Sequence, residues 1–386
     1  MQKFKSTAPK ILHITNWYPN PWHAHEGIFI KNQLDAFSEI SDSAIVNIQS
    51  RKSETFFTFC HKKYNNNEEG VFILSSTPWQ RLHEFFTTIL LIYVLFKKKA
   101  NEFDLIHVHI AYPLLVHYWI LKYIIKKPIL ISEHWSAYHY NFYLEHDNKN
   151  LNSIKSIFRN KLPLITVSKS LLNDITRFSG TFQFNNSIIP NFINDVFLES
   201  EILKNLQTTP TFFTVNLWRD IKNPFPMLKA FALLSSSEYD FNLIIGGYGP
   251  LLEKMVDYVK SSSLAHHTQF LGKMDSHQIC ESLKISDAYL FSSEYETFSV
   301  ACAQALCTGT PLIGPMIDAI SEYATPLDWK VVEQNDVNNW YSALVSFIEN
   351  RFDYNHENIA NRARTRFNKN QLKSQYLDII TKLIKN

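Results

Sequence analysis

Ser292-Ser293-Glu294-Tyr295-Glu296-Thr297-Phe298-Ser299-Val300, running on to Gln304 and Gly309-Thr310-Pro311, reads as a strand end, a tight turn bearing a carboxylate, and the opening turns of a buried helix. The first N–H groups of a helix have no partner within it, and the aligned peptide dipoles leave partial positive charge there. Phosphate suits such a place. A carboxylate at the same turn can hold hydroxyl groups beside that phosphate. The two together point to a sugar nucleotide.

Outward from this stretch, short apolar runs alternate with helical segments along the whole chain. Ile11–Ile14, Ala44–Ile48, Leu105–His109, Ile129–Ile131 and Leu164–Val167 suit parallel strands buried on both faces. Helices are predicted over Pro113–Ile125 and Ser168–Arg177, with Ser168 as N-cap of the second. A polar stretch from Leu198 to Pro210 reads as a linker. The pattern then restarts with Phe212–Val215, Phe241–Ile245, Gln269–Leu271, Ala288–Phe291 and Leu312–Ile313. This alternation predicts an α/β protein of two consecutive doubly wound, Rossmann-like domains, residues 1–195 and 196–369. A final helix over 370–386 follows the polar break at Asn368-Lys369-Asn370.

Composition narrows the class. The 386 residues are 45% hydrophobic with a formal net charge of +2, so no global basic field exists for nucleic acid. Cys60, Cys280, Cys302 and Cys307 show no C-x-x-C spacing and favour a reducing compartment. Residues 1–10 lack an apolar signal core, so a cytoplasmic protein is expected. Phe85–Phe96 is a nearly unbroken apolar run ahead of Lys97-Lys98-Lys99. It is too short for a bilayer, which needs roughly 20 residues. Two readings stand: a helix buried in the first domain, or a helix presenting aromatic and basic residues to the inner face of an anionic membrane. Six of the nine glycines lie between 246 and 314, at strand–helix junctions where a ligand or an ordinary turn would place them. Gly246-Gly247-Tyr248-Gly249-Pro250 lacks the third glycine of a dinucleotide fingerprint.

The order and spacing of several segments resemble the retaining GT-B glycosyltransferases of glycosyltransferase family 4, the group 1 type. In the first half these are Trp17-Tyr18-Pro19-Asn20-Pro21, Glu26 to Gln33, Asp104 to His109, Ser132-Glu133-His134-Trp135, Thr166-Val167-Ser168 and Ile189-Pro190-Asn191. The second half adds Lys222-Asn223-Pro224, Ala230 to Leu234, Gly246 to Pro250, Phe270-Leu271-Gly272, Ser286-Asp287-Ala288 and the opening stretch. The resemblance implies two domains facing a central cleft, the donor bound mainly by the second and the acceptor by the first. The last helix is expected to cross back onto the first domain, with hinges near 192–210 and 368. Glu296, Lys222 and His109 are the implied catalytic residues: Glu296 orients the donor sugar, Lys222 neutralises the leaving diphosphate, and His109 lies near the reaction centre. Gly27, Arg219, Gly247, Gly249, Phe298, Ser299, Val300 and Gln304 are the implied donor-binding set, with Glu133 and His134 on the acceptor side. Neither cofactor nor obligatory metal is implied. His107 and His109 share a strand face, and His23 and His25 form a second pair, but neither pair has an obvious third ligand.

The expected activity is transfer of a hexose from a UDP- or GDP-sugar to a glycan or lipid-linked glycan in bacterial surface polysaccharide synthesis, with peripheral membrane contact. Three positions depart from the pattern. Gln304 replaces the second acid of Glu-x7-Glu, and its neutral amide bonds a ribose more weakly than a carboxylate does. Leu217 stands where an arginine precedes the lysine by five residues, so either Arg219 supplies the charge from a shifted position or the diphosphate relies on Lys222 alone. Ser299 stands where glycine is frequent. These departures keep two alternatives open: a non-catalytic sugar-nucleotide-binding partner of another transferase, and a nucleotide-sugar epimerase of the same fold.

Overall fold

The computed structural model describes residues 8–23, 26–140, 151–202, 208–237 and 239–385. His25, residues 1–7 and part of the polar 198–210 stretch lie outside them. The chain divides into two compact units, Met1–Phe192 with Lys369–Asn386, and Ile193–Asn368.

The first unit is built on β1 (Lys10–Thr15), β2 (Asp42–Lys52), β3 (Phe57–Lys63), β4 (Glu68–Ser75), β5 (Leu105–His109), β6 (Ile129–Glu133), β7 (Leu164–Thr166) and β8 (Asn186–Ile188). They form one sheet in the order β3-β4-β2-β1-β5-β6-β7-β8. Only the β3–β4 pairing is antiparallel. β5 and β6 are buried at every position, as expected of parallel strands covered on both faces. The predicted strand list lacked β3, β4 and β8. β3 is an edge strand with mostly exposed side chains and closing lysines, so it has no continuous apolar run to read. The helix predicted over Pro113–Ile125 forms only at Tyr118–Ile124. Leu114, Leu115 and Val116 are buried in succession in the turns before it, which wraps the chain inward instead of giving one amphipathic face.

The final helix, Lys369–Lys385, packs on this first sheet. Tyr376 stacks on Phe37 with ring centroids 3.5 Å apart, among Ile11, Leu105, Leu130 and Ile165. Each such fully buried large side chain stabilises the unit by roughly 1.5–3 kcal/mol. The helix Lys169–Ser179 begins as the sequence predicts, with Ser168 Oγ accepting from Leu171 N at 3.0 Å. Phe85–Phe96 lies in the helix Gln80–Lys97, which buries Leu90, Leu91, Val94 and Leu95 and exposes Phe85, Ile89, Tyr93 and Phe96. No helix of the described residues is long and apolar enough to cross a membrane.

The second unit holds β9 (Thr211–Leu217), β10 (Asn242–Tyr248), β11 (Thr268–Gly272), β12 (Ala288–Leu290), β13 (Leu312–Pro315) and β14 (Trp329–Val332). All pairings are parallel, in the order β11-β10-β9-β12-β13-β14. Its core gathers Phe212, Trp218, Phe231, Leu243, Trp340 and Phe347. Both units are thus doubly wound α/β layers. In each, strand order reverses between two adjacent strands, β1 and β5 in the first and β9 and β12 in the second. Open α/β sheets bind ligands beyond the carboxyl ends of strands at such a reversal.

Candidate functional site

In the second unit, both strands at the reversal end in loops that meet. β9 runs through fully buried Trp218 and exposed Arg219 into a single 3-10 turn, Asp220–Lys222. β12 runs into Ser292–Ser299 and then the helix Val300–Cys307. Lys222 Nζ pairs with Glu296 Oε1, and both side chains are largely covered, at 18% and 15% exposure. Ser293 Oγ donates to the same Glu296 oxygen at 2.6 Å. Three further hydrogen bonds hold the loops together: Ser292 Oγ to the Lys222 carbonyl at 2.6 Å, Glu294 N to the Ile221 carbonyl at 2.9 Å, and Asn223 Nδ2 to Glu294 at 2.9 Å. Asn335 Nδ2 donates to the Ser292 carbonyl at 3.0 Å, while Asn335 Oδ1 accepts from Trp340 Nε1 at 2.7 Å.

Ser299 caps the helix Val300–Cys307 in the left-handed region, φ +63°. Tyr323 OH donates to the Phe298 and Ser299 carbonyls at 2.7 and 3.1 Å, which holds that unusual backbone in place. The Phe298 side chain is buried against Tyr323 and Phe367, so only its backbone is available to a ligand. Val300 and Gln304 are half-buried on the helix, and Leu217 is half-buried at the end of β9. This unit therefore gathers a cation, a carboxylate and a helix N-terminus at one place. The sequence alone assigns no role to Ser293, Asn335 or Tyr323. They act through hydrogen bonds to side chain and backbone, and no spacing rule marks them.

Gly247 and Gly249 sit where β10 leaves the sheet. A Cβ on Gly247, whose φ is +103°, would lie 1.9 Å from the Asn216 carbonyl oxygen, and one on Gly249 2.4 Å from that of Trp218. Close passage of the β9 and β10 ends is enough to require both glycines. Gly247→Ala is expected to cost roughly 2–4 kcal/mol in urea unfolding, and an unchanged midpoint would show that the backbones separate freely.

In the first unit the reversal brings histidines together. His107 and His109 lie on β5, and His13 lies on β1 opposite His107. All three are fully buried. His13 Nδ1 and His109 Nε2 are 3.2 Å apart, while His107 sits between Tyr376 OH at 2.9 Å and Ser132 Oγ at 2.8 Å. The expectation that no third ligand stands near the His107–His109 pair is corrected: their ligand atoms and one of His13 lie within 4.8 Å of one another. The β1–β5 register, invisible in linear spacing, supplies the third imidazole. Both His107 nitrogens are already engaged by hydroxyls. Burial pushes His13 down to about 3 and His107 and His109 well below the usual histidine range, so all three are neutral imidazoles near pH 7. His109 Nδ1 has no hydrogen-bond partner among the described residues.

Glu133 ends β6 and is fully buried. Burial raises its carboxyl to about 7, although it accepts from Ala111 N at 2.8 Å, Tyr138 OH at 3.0 Å and His134 N at 3.3 Å. Those bonds fix the loop after β5, which makes Glu133 a positioning group. His134 is buried against Phe29, and burial lowers it to about 3. Gly27 begins the helix Ile28–Ser38 at φ +63°, and a Cβ there would meet the Trp17 carbonyl oxygen at 2.4 Å. Only glycine lets the β1 exit loop and this helix start touch.

Residues 197–366 match the family model for glycosyl transferases group 1. N-acetyl-alpha-D-glucosaminyl L-malate synthase of Bacillus anthracis is 24% identical over 291 residues, covering 72% of this chain and 74% of that protein. A sucrose-phosphate synthase from Thermosynechococcus elongatus superposes with a TM-score of 0.73 at 14% identity, over 97% of this chain and 99% of that one. HepE of Anabaena, solved in complex with UDP, gives 0.71 at 13% identity, over 97% and 100%. Residues 197–366 thus match the glycosyl transferases group 1 model, within a chain whose two parallel-sheet units have the GT-B fold of its structural neighbours.

Proposed function

We propose that the protein is a retaining glycosyltransferase moving a hexose from a UDP- or GDP-sugar to a glycan or lipid-linked glycan acceptor. The proposed setting is bacterial surface polysaccharide synthesis at the cytoplasmic face of the membrane. The observation that carries this reading is the covered Lys222–Glu296 pair beside the N-terminus of the helix Val300–Cys307. Glu296 would accept hydrogen bonds from donor-sugar hydroxyls. Lys222 and the helix N–H groups near Phe298, Ser299 and Val300 would face the diphosphate and stabilise charge as it leaves. Exposed Arg219 is near enough in sequence to add to that charge.

In the first unit, the reading gives neutral His109 and His134 the part of hydrogen-bonding partners at the reacting sugar and acceptor. The bond from the sugar's anomeric carbon to phosphate oxygen breaks as the acceptor oxygen bonds to that carbon on the same face. The acceptor's proton passes to the leaving phosphate. No metal takes part in this scheme.

A thermal-shift panel of nucleoside diphosphates and their sugars tests the donor, since a ligand at 100 times its Kd adds about 2.7 kcal/mol of stability. One UDP or GDP series should stabilise the protein, and transfer should persist in EDTA with the anomeric configuration retained by NMR. Inversion at that carbon would overturn the retaining mechanism. Gln304 and Leu217 favour the second reading, a non-catalytic binding partner. Binding without donor hydrolysis or transfer across the panel would select it.

A further inference from the structure

Nearly half of the exposed large hydrophobic side chains among the described residues fall between positions 56 and 123, all in the first unit. On the helix Gln80–Lys97 they form a stripe, Phe85, Ile89, Tyr93 and Phe96, at spacings of four, four and three. That spacing places them on one face. The edge strand β3 extends the stripe sideways: Phe57 meets Phe86 and Phe59 meets Tyr93, each with ring centroids 5.7 Å apart. At the other end, a pocket lined by Leu95, Phe96, Lys99, Glu102, Ile124 and Ile125 adjoins the helix Tyr118–Ile124, whose Trp119 and Tyr123 are 64% and 70% exposed. Such a contiguous face on one unit is an interaction surface.

Its charge identifies the partner. Residues 51–127 hold eleven Lys and Arg against six Asp and Glu, in a chain whose total net charge is only +2. Buried Glu69 pairs with Lys97 and Lys98 at 3.2 and 3.1 Å and Glu102 with Lys99 at 3.3 Å, so the excess rests on the other basic residues, exposed Lys122 and Lys126 among them. The lysines flank the aromatics: Lys97 lies over Tyr93 at 5.7 Å and Lys122 over Tyr123 at 5.1 Å. A second copy docked on this face would set like charges against each other. Exposed Trp, Tyr and Phe among lysines suit the boundary between lipid headgroups and acyl chains.

We propose that this face, the outer side of the helix Gln80–Lys97 with β3 and Trp119–Tyr123, docks on an anionic lipid bilayer. The surface deepens the membrane setting of the proposed function and rests on it for its purpose, while its test stands apart. The purified full chain is sedimented with vesicles of phosphatidylcholine alone and with phosphatidylglycerol added. Binding only to the anionic vesicles is expected, falling at least about fivefold near 0.5 M salt.

Combined Phe85→Ser, Ile89→Ser and Phe96→Ser should weaken binding about tenfold or more with an unchanged melting temperature. Combined Lys122→Glu and Lys126→Glu keeps the apolar stripe and should also weaken it. No binding to anionic vesicles, full binding by both variants, or a solution dimer dissolved by the serine variant would overturn the proposal. Nucleotide-sugar thermal shift in the same samples separates the two readings. Its loss with vesicle binding intact counts against transfer, and its retention without vesicle binding counts against this surface.

Discussion

Glu296→Gln is expected to lower kcat for sugar transfer by roughly 10²–10³ while the second unit stays folded. The substitution keeps the shape of the side chain and its hydrogen bond from Ser293 but removes the charge that faces Lys222. In the free protein the pair holds the lysine in place. With donor bound, the proposed mechanism divides the two between sugar hydroxyls and diphosphate. Lys222→Ala should lose a similar factor, because no other cation is braced in the turn: Arg219 precedes it exposed, and Leu217 occupies the arginine position. The lysine variant also leaves Glu296 largely covered without its cation, at a cost of about 1–3 kcal/mol.

The two groups act on one departing phosphosugar, so the double variant should be little slower than either single one. Steady-state kinetics of the three variants, with urea melts as the folding control, makes the measurement. An E296Q enzyme retaining more than half of parental kcat would remove Glu296 from the chemistry. Strict multiplication of the two losses would show that lysine and glutamate act at separate steps.

How much of this was legible beforehand depends on how local each signal is. β5 and β6 were readable because parallel strands buried on both faces are unbroken apolar runs. Ser168 was readable as a cap because capping is settled within four residues. The stretch from Glu296 to Gln304 was readable because a turn and a helix start are adjacent in sequence. β3 was not, since five of its seven positions are exposed. Nor was His13, whose meeting with His109 is fixed by pairing between strands 96 positions apart. Tyr323 was missed for the same reason: its hydroxyl reaches Phe298 across 25 positions, and one tyrosine in a helical region announces nothing. Glu133 ends β6 among donors from Ala111, His134 and Tyr138, and the fold alone brings Ala111 to it across 22 positions.

The first unit is expected to lose stability steeply on acidification, by about 4 kcal/mol per pH unit near pH 5–5.5. Four buried histidines set the sign. Burial holds His13 and His134 near 3 and His107 and His109 well below their ordinary 6.5, so the folded unit keeps them neutral where the unfolded chain protonates them. Stability they contribute is complete above about 6.5 and is lost as pH falls. Glu133 works the other way: burial raises it from 4.5 to about 7, so between those values the folded state holds a proton that the unfolded state has released. Against four protons taken up by unfolding, one is given back, and the net uptake is about three.

Hydrogen exchange of β1 and β5 amides against pH would follow this unit alone, which matters because a two-unit chain has no single unfolding free energy. His134→Asn should reduce the slope by about one proton whatever it does to absolute stability. Glu133→Gln should raise the slope by about one, since it deletes the opposing group. Constant protection from pH 7 to 5.5 would mean that these imidazoles accept protons within the fold, and the neutral form assigned to His109 would fall with it.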